Sequence, residues 1–279
     1  MIRASNLSFT YPNDVKVLEH VSFQIHRGEF VALIGQNGAG KTTLLKQLNG
    51  LLKPSTGDLF IDGVNTKDSS TGELAQKVGY LFQNPDHQIF LPTVEKEIGF
   101  GPTNLHLSKA EVKERVRDAA EQVGLIPYLK ENPLFLSKGQ RQRVAFASLL
   151  SMQPEVMVLD EPTTGQDYQE GIEIMEMVKG LHQRGHTIVF VTHDMELVAG
   201  YAQRVIVLSQ GRILLDDICK NVFYQPELLM QTNLFPSQIA RLVQKFGNQS
   251  NPFGRPLTVK ELHDQVLTIM ESGSNVFCN

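Results

Sequence analysis

The sequence predicts an α/β fold in which helices wrap a mostly parallel sheet. Short runs rich in valine, isoleucine and leucine alternate along the chain with helical patterns. Uninterrupted apolar runs of this kind are typical of strands buried on both faces, as in a parallel sheet. The runs are FVALIG (30–35), VGYLF (78–82), VMVLDE (156–161), TIVFVTH (187–193) and RVIVLS (204–209).

The first 25 residues have a different pattern, which predicts an antiparallel hairpin beside the main sheet. The segments NLSFTY and VLEHVSFQI alternate apolar and polar residues, and the turn-forming residues PND separate them. Alternation indicates strands with one buried face. We therefore expect an N-terminal antiparallel β subdomain.

Capping patterns predict two helices outside this framework. Ser108 and Glu111 form a capping box, which is followed by the apolar stripe Val112, Val116, Ala119 and Val123. Thr258 and Glu261 form a second capping box, which is followed by the stripe Val259, Leu262, Val266 and Ile269. A further stripe consists of Ile239, Leu242, Val243 and Phe246. We expect a helical subdomain over about residues 84–150 within a first domain, 1–219, and a small helical C-terminal tail over 220–279.

Composition narrows the function classes. A chain of 279 residues that is 41% hydrophobic can bury a sizeable core. Its net charge of −4 argues against nucleic acid as a partner, because such binding needs a basic surface. Cys219 and Cys278 lack the spacing of a disulfide framework or a zinc site. No apolar run approaches the roughly 18 residues of a membrane span, so any membrane role is expected to pass through a partner.

The most informative motif is GQNGAGKTT, residues 35–43. It matches G-x-x-x-x-G-K-[ST], follows a predicted strand and opens a helical run, which is the context that a phosphate-binding loop requires. Its glycines let the backbone amides wrap around a phosphate chain, Lys41 adds a positive charge, and the Thr42 hydroxyl can bind Mg²⁺. A glycine-rich turn without a ligand is the alternative, and the flanking strand and helix disfavour it. The predicted nucleotide-binding residues are Gly35, Asn37, Gly38, Ala39, Gly40, Lys41, Thr42 and Thr43.

A magnesium nucleotide site also needs a carboxylate at the end of a neighbouring strand. VMVLDEP supplies Asp160, which can hold the metal, and Glu161, which can polarise an attacking water. An Asp-Glu pair alone is more often a solvated helix cap, but the phosphate loop upstream favours the catalytic interpretation. The run TIVFVTH brings His193 to the same edge of the sheet, although a single histidine there is more often a loop residue.

With these motifs in this order, the chain resembles the ATP-binding subunit of an ABC transporter over residues 1 to about 215. The marks are GQNGAGKTT, Gln83 after VGYLF, LSKGQRQR before VMVLDEPTT, Asp167, and His193. The resemblance implies a P-loop NTPase core and ATP with Mg²⁺ as ligands. It also implies a catalytic set of Glu161, His193 and Gln83, a metal set of Thr42, Gln83 and Asp160, and Tyr11 as the aromatic residue that stacks on adenine.

The resemblance implies a role for the stretch FLSKGQRQR, residues 135–143, which we call the signature stretch. It implies that Ser137, Gly139, Gln140 and Asp167 contact ATP held by a second ABC ATPase subunit, which is identical or related. Ser137 offers a hydroxyl, Gly139 permits close backbone approach, and the following helix points its positive end at the phosphate.

The signature stretch carries three cationic side chains. Lys138 stands where the family most often has glycine, so this loop departs from the usual pattern. Lys138 is expected to reach the phosphates or acids of the facing chain when two chains meet. Arg141 and Arg143 fall past the helix start and are expected to pair with acids on the surface.

A narrower resemblance lies between Gln83 and Gly101. The run FQNPDHQIFLPTVEKEIGFGP is similar to a segment of energy-coupling factor transporters, vitamin and metal-ion importers whose two ATPases sit under a separate transmembrane coupling subunit. The resemblance implies that Ile89, Phe90 and Leu91 meet that subunit, and the alternative is that they are core residues. The tail resembles the dimerisation tail of the same group.

These resemblances imply a peripheral ATPase at the cytoplasmic face of the cell membrane. Its expected partners are a second ATPase subunit, a transmembrane coupling subunit and a substrate-binding membrane subunit. One alternative is the ATPase of another ABC transporter class. A soluble ABC ATPase of repair or translation is expected to carry a coiled-coil insertion or second cassette and a basic surface. A regulator without turnover is expected to lack the acid after Asp160, but Glu161 is present.

Overall fold

The computed structural model describes residues 1–246 and 253–274, with side chains to residue 271. Its strands are β1 (Ile2–Thr10), β2 (Lys16–Ile25), β3 (Phe30–Ile34), β4 (Thr56–Ile61), β5 (Val64–Asn65), β6 (Val78–Leu81), β7 (Val156–Asp160), β8 (Thr187–Val191), β9 (Arg204–Ser209) and β10 (Arg212–Ile218). Its helices are α1 (Lys41–Leu48), α2 (Thr71–Ala75), α3 (Val94–Asn104), α4 (Lys109–Gln122), α5 (Lys138–Met152), α6 (Tyr168–Gln183), α7 (Met195–Tyr201), α8 (Cys219–Phe223), α9 (Pro226–Met230), α10 (Gln238–Gln244) and α11 (Val259–Ser274).

The large sheet confirms the predicted mostly parallel core. Its order is β10-β9-β3-β8-β7-β6, and all neighbours are parallel except β9 and β10. Every residue of β3, β7 and β8 is buried, as the apolar runs predict. Because the carboxyl ends of parallel strands meet at one edge, the turns after β3, β6, β7 and β8 come together there.

The second sheet confirms the predicted N-terminal hairpin and extends it. Its order is β2-β1-β4-β5, with Ile2 opposite Ile25 in the antiparallel β1–β2 pair. The sequence analysis did not predict β4, β5 or β10. The last of these has a readable signal, since Gln210 and Gly211 form a two-residue turn with φ of 46° and 76°, the geometry of a tight hairpin.

Two hydrophobic cores lie on the opposite faces of the large sheet. One lies between the two sheets and includes Leu33, Val158 and Val189 with Leu44 and Leu45 of α1. The other is covered by α3 to α7 and contains large buried side chains such as Phe146 and Phe190. The sheet is therefore rigid on both faces, and its carboxyl edge holds the connecting turns in fixed positions.

The helices α3, α4 and α5 pack on one another as the expected helical subdomain. The predicted capping box at α4 is confirmed, because Ser108 and Glu111 exchange both capping hydrogen bonds. In the predicted stripe, Val116, Ala119 and Val123 are buried and Val112 is half-buried.

The first half of the tail packs into the second core. Phe223, Leu229, Ala240 and Leu257 are buried there, so one hydrophobic core continues across the expected boundary after residue 219. The division into two domains stays a prediction. Burial also raises the pKa of the Cys219 thiol to about 12, and Cys278 lies outside the described residues.

The predicted last helix is present as α11, and two of its details were not foreseen. The capping box at Thr258 is incomplete, because Glu261 accepts from the N–H of Leu257 at 3.0 Å while its own N–H donates to Thr258. The expected apolar stripe is mostly uncovered, since Val259 is 72% exposed and Leu262 and Val266 are only half-buried. Among the described residues, no helix is both long and apolar enough to cross a membrane.

Candidate nucleotide-binding and hydrolysis site

The loop at residues 35–43 connects β3 to α1 and is shaped by glycines. Gly35 has a φ of 155°, and a Cβ atom there would lie 2.1 Å from the carbonyl oxygen of Leu208. At Gly40, with φ of 101°, a Cβ atom would lie 2.8 Å from Leu18. Any larger residue would push the loop away from β9 or β2, so these glycines fix its close approach to the sheet. Asn37 and Gly38 form the exposed tip, while Ala39 is buried.

Lys41 closes the phosphate loop on itself. Its Nζ atom donates to the carbonyl oxygens of Gly35 at 2.7 Å and Gln36 at 2.9 Å. Burial lowers the pKa of Lys41, whereas the nearby Glu161 and Asp160 carboxylates oppose that shift. The ammonium group is thus held over the loop by two neutral acceptors that an anionic phosphate would outcompete.

The side chain of Asp160 lies at the end of β7 among hydroxyl groups. Tyr80 donates its hydroxyl to Oδ2 at 2.8 Å, and the Thr42 hydroxyl lies 3.4 Å from Oδ1. Burial raises the pKa of the Asp160 carboxyl, and the hydrogen bonds from Tyr80 and Thr42 lower it in part. Burial and the Asp160 charge together raise the pKa of Tyr80.

The oxygens of Thr42 and Asp160 are suited to Mg²⁺. A hydroxyl and a carboxylate are the hard oxygen ligands that this ion prefers, and it keeps much of its shell for phosphate and water. Among the described residues, no cluster of three or more His, Cys, Asp or Glu is present that could hold a metal by itself. The two oxygen ligands leave coordination positions for phosphate and water, so they fit Mg²⁺ bound together with a nucleotide.

Glu161 follows Asp160 directly, and three other side chains lie close to its carboxylate. Gln83 donates its Nε2 to Glu161 Oε2 at 2.7 Å, and Thr164 donates its hydroxyl to the same oxygen at 2.8 Å. His193 Nδ1 lies 3.6 Å from the other oxygen, and its side chain is 72% exposed. Glu161 also has a φ of 48°, a left-handed conformation that is uncommon outside glycine. The hydrogen bonds from Gln83 and Thr164 therefore fix the orientation of the Glu161 carboxylate.

The structure brings the predicted catalytic set together. Glu161, His193 and Gln83 meet at one edge of the sheet, beside Asp160 and the phosphate loop. Gln83 contacts Glu161 here, so its additional metal-binding role stays a prediction, as do the catalytic roles of all three residues.

Tyr11 lies beside the start of α1. Its ring packs edge-on against Phe9 with centroids 4.8 Å apart, and its hydroxyl pairs with the Thr43 hydroxyl at 3.1 Å. The ring is half-buried next to the phosphate loop. This position is compatible with the expected stacking on adenine, which stays a prediction.

The signature stretch starts α5. Ser137 is its N-cap. Ser137 and Gln140 form a capping box in which the side-chain oxygen of each residue accepts the backbone N–H of the other. Gly139 packs against α6, where a Cβ atom would lie 2.8 Å from Glu170. Asp167 caps α6 by accepting from the Glu170 N–H at 2.8 Å. The four residues expected to act in trans therefore share one surface.

The cations of the signature stretch contact their own chain. Arg141 pairs with Asp86 at 2.8 Å and Arg143 with Glu173 at 2.7 Å, so the expected pairing with acids is confirmed. Lys138 folds onto the loop before α6, where its Nζ lies 2.0 Å from the point that a Cβ atom of Gly165 would occupy. Its contact with a facing chain stays a prediction.

The segment that follows Gln83 presents an aromatic pair at the surface. Phe90 is 64% exposed and stacks edge-on against the exposed Phe100 at 5.0 Å, so it is not a core residue. The buried Glu97 accepts the N–H groups of Phe90 and Leu91 and thereby fixes this loop. A groove of about 500 Å³ between α3 and α4 adjoins it and is lined by Leu91, Phe100, Leu107, Lys109, Val112 and Lys113.

Two contributors to the site were missed by the sequence analysis. Thr164 stands within VMVLDEPTT, so its closeness to Glu161 had a local signal. Tyr80 had none, because only the pairing of β6 with β7 brings it to Asp160.

The comparisons with known proteins confirm the resemblance. The family model described as ABC transporter matches residues 18–164. The energy-coupling factor transporter ATP-binding protein of Methanosphaera stadtmanae is 41% identical over 273 residues, with 96% of this chain and 98% of that relative covered. A putative ABC transporter ATP-binding protein of Caldanaerobacter subterraneus is 46% identical over 247 residues, which are 88% of this chain, and the match spans 43% of that longer relative.

Solved structures agree on the fold. The structure of cbiO1 from Clostridium perfringens, part of the ABC transporter complex cbiONQ, has a TM-score of 0.74 at 34% identity, covering 86% of this chain and 96% of that one. A dimeric ATP-binding cassette in a post-hydrolysis state, bound to ADP and Pi, has a TM-score of 0.72 at 30% identity, covering 78% and 99%.

Proposed function

Because this chain belongs to the ABC transporter family of ATP-binding subunits, we propose that it hydrolyses ATP to energise import through a membrane complex of the energy-coupling factor type. The observation that carries the chemistry is the Glu161 carboxylate, held between Gln83, Thr164 and His193 beside a phosphate loop. The import class rests on similarity to the energy-coupling factor relative over 98% of its length.

The first task of the site is to bind the phosphate chain of ATP. Lys41 exchanges the carbonyls of Gly35 and Gln36 for phosphate oxygens, while the backbone amides of residues 37–43 and the start of α1 donate to the same anion. The ring of Tyr11 stacks on the adenine.

The second task is to place the metal and activate water. When bound, Mg²⁺ neutralises charge on the phosphates. Thr42 and Asp160 supply oxygen ligands for it, and Gln83 adds its amide oxygen. Glu161 accepts a proton from the attacking water, and Gln83 and Thr164 fix the orientation of that carboxylate. His193 stands on the other side of Glu161, where it holds the reacting phosphate.

The third task requires a second ATPase subunit, identical or related. Ser137, Gly139, Gln140 and Asp167 contact the nucleotide of that subunit, and α5 directs its positive end there. The apolar tip beside this surface supports the assignment, since Leu134 and Phe135 are 72% and 83% exposed. A dimeric relative bound to ADP and Pi shows that such cassettes can pair.

The membrane-facing contact is assigned to Phe90, Phe100 and the groove between α3 and α4. An exposed aromatic pair beside an apolar groove suits a helix of a transmembrane coupling subunit. Asp86 in the same segment pairs with Arg141 of α5, and this ion pair links the membrane-facing segment to the signature stretch. A substrate-binding membrane subunit would select the vitamin or metal ion, and the chain would work as a peripheral protein at the cytoplasmic face of the membrane.

The test is purification of the chain from its native cell with its integral partners. We expect the chain in the membrane fraction and an ATPase rate that rises when the membrane subunits are present. Lys41→Ala should weaken ATP binding at least tenfold, because it removes the charge beside the β- and γ-phosphates. Lys179→Ala, at an exposed lysine that pairs with Glu176, is the matched control and should bind ATP normally.

Two results would contradict the proposal. Unchanged ATP affinity in Lys41→Ala would remove the phosphate-loop assignment. Recovery of the active chain without any integral membrane partner would remove the transport assignment and favour a soluble ABC ATPase.

A further inference from the structure

We propose that Asn233, in the tail, is a positioning residue for the phosphate loop, so that the tail contributes to nucleotide affinity. The residue lies in the tail link, residues 232–238, between α9 and the first turn of α10. This inference rests on the nucleotide-binding role proposed above for residues 35–43.

The first contact joins the tail link to the phosphate loop. Asn233 donates its Nδ2 to Gln36 Oε1 at 3.3 Å, across 197 positions of sequence. The backbone carbonyl of the same Gln36 accepts from Lys41 at 2.9 Å. Gln36 is therefore held through its backbone from inside the loop and through its side chain from the tail.

The second contact joins the tail link to the turn that carries His193. The N–H of Gln238 donates to Glu196 Oε1 at 2.7 Å. Glu196 lies in the first turn of α7, whose N-cap Asp194 follows His193 directly. The tail link thus touches both the phosphate loop and the helix that follows His193.

The tail link is anchored at both ends, which makes these contacts well defined. Thr232 and Ser237 are buried, and their hydroxyls donate to the carbonyls of Leu229 at 2.7 Å and Leu257 at 2.9 Å. Asn233 has a φ of 53°, a left-handed conformation that asparagine adopts more readily than most residues. A side chain presented from a fixed turn loses little entropy when it holds its partner, so it can pre-organise the loop.

Gln36 is held by three hydrogen bonds: its carbonyl accepts from Lys41 and from the N–H of Ala39 at 3.2 Å, and its side chain accepts from Asn233. When Lys41 turns toward a phosphate, its hydrogen bond to the Gln36 carbonyl is lost, and the hydrogen bonds from the Ala39 N–H and from the Asn233 side chain continue to constrain that residue. Removing the Asn233 amide should therefore weaken nucleotide binding. Coupling of this kind is reciprocal. Nucleotide binding must therefore strengthen the Asn233–Gln36 hydrogen bond by the same factor by which that bond strengthens nucleotide binding.

The experiment measures the Kd of the isolated full-length chain for Mg-ATP in Asn233→Gly, Gln36→Ala and the double variant. Glycine keeps the left-handed backbone and removes only the amide. An exposed neutral hydrogen bond corresponds to a few-fold change, so we expect each single variant to raise the Kd by about threefold. The double variant should bind no more weakly than either single one, because both changes remove the same bond.

Asn6→Gly is the matched control. Asn6 also has a left-handed φ, of 50°, and its exposed side chain bonds His20 in the small sheet, away from the phosphate loop. It should leave the Kd for Mg-ATP unchanged. Thermal midpoints of all variants separate a local effect from loss of folding, since a merely structural role for Asn233 would lower the midpoint without changing the affinity.

Hydrogen exchange supplies the reciprocal measurement. Mg-ATP should slow amide exchange in the tail link of the wild-type chain, and should slow it less in Asn233→Gly. Equal protection in both chains, an unchanged or lower Kd in Asn233→Gly, or additive losses in the double variant would overturn the inference. Lys41→Ala is run in parallel: if it retains ATP affinity, the proposed function fails, whereas a normal Kd for Asn233→Gly beside a large loss in Lys41→Ala defeats only this inference.

Discussion

The catalytic edge, formed by the phosphate loop, Asp160, Glu161 and their partners, differs from the signature stretch in how its polar groups are satisfied. At the catalytic edge, each of the two acids accepts hydrogen bonds from side chains of the same chain. At the signature stretch, the polar groups cap helices, while Phe135 of the stretch and the adjoining Leu134 project outward. One chain therefore holds its two acids with its own side chains, whereas the apolar side chains of Leu134 and Phe135 are exposed in the single chain.

The two regions also differ in the kind of unfavourable free energy that they carry, which is buried charge at the catalytic edge and exposed apolar area at the signature stretch. The catalytic edge buries charge during folding, which raises the pKa of Asp160 and lowers that of Lys41. The signature stretch exposes apolar area, which the proposed association with a second chain would cover. Variants that act within one chain should therefore be separable from variants that act only in an assembled pair.

The largest expected effect is at Glu161. Glu161→Gln should keep the hydrogen bonds from its neighbours and lose the proton acceptor, so turnover should fall by about 10² to 10⁴ while Mg-ATP still binds. The trapped pair should be visible as an ATP-dependent dimer by size-exclusion chromatography. Hydrolysis at the wild-type rate would show that another group activates the water.

The next effect separates the signature stretch from the catalytic edge. Ser137→Arg should fill the position of the partner's phosphate and lower turnover of the assembled complex by about a hundredfold, with ATP affinity of the isolated chain unchanged. Lys138→Gly is the mild companion and should change turnover by less than about tenfold, since an exposed charge contributes little. Normal turnover by Ser137→Arg in the complex would remove the trans role of this stretch.

The smallest effect concerns the stability cost of the catalytic edge. The pKa of Asp160 is higher in the folded chain, so folded protein loses stability as the pH rises through that pKa. Asp160→Asn should therefore be more stable than the wild type by about 1 kcal/mol near neutral pH, and the difference should shrink toward pH 4. Urea unfolding at several pH values measures this, with Asp118→Asn as an exposed control. A difference that grows as the pH falls would contradict the stated direction.

The sequence by itself determined the elements whose causes are local. The apolar runs, the alternating hairpin, the Ser108 capping box and the glycine pattern of residues 35–43 act over a few neighbouring residues, and each appears in the structure as predicted. The edge at which the site lies was predictable for the same reason, since parallel strands bring their carboxyl ends together.

Only the tertiary structure decided which side chains form hydrogen bonds with each other. Tyr80 reaches Asp160 across 80 positions, Gln83 reaches Glu161 across 78, and Asn233 reaches Gln36 across 197. These contacts depend on the spatial order of the strands and on how the tail packs against the core, which no local pattern encodes. The exposure of Phe90 and of Val259 was decided in the same way, because an apolar residue is buried only if another element covers it.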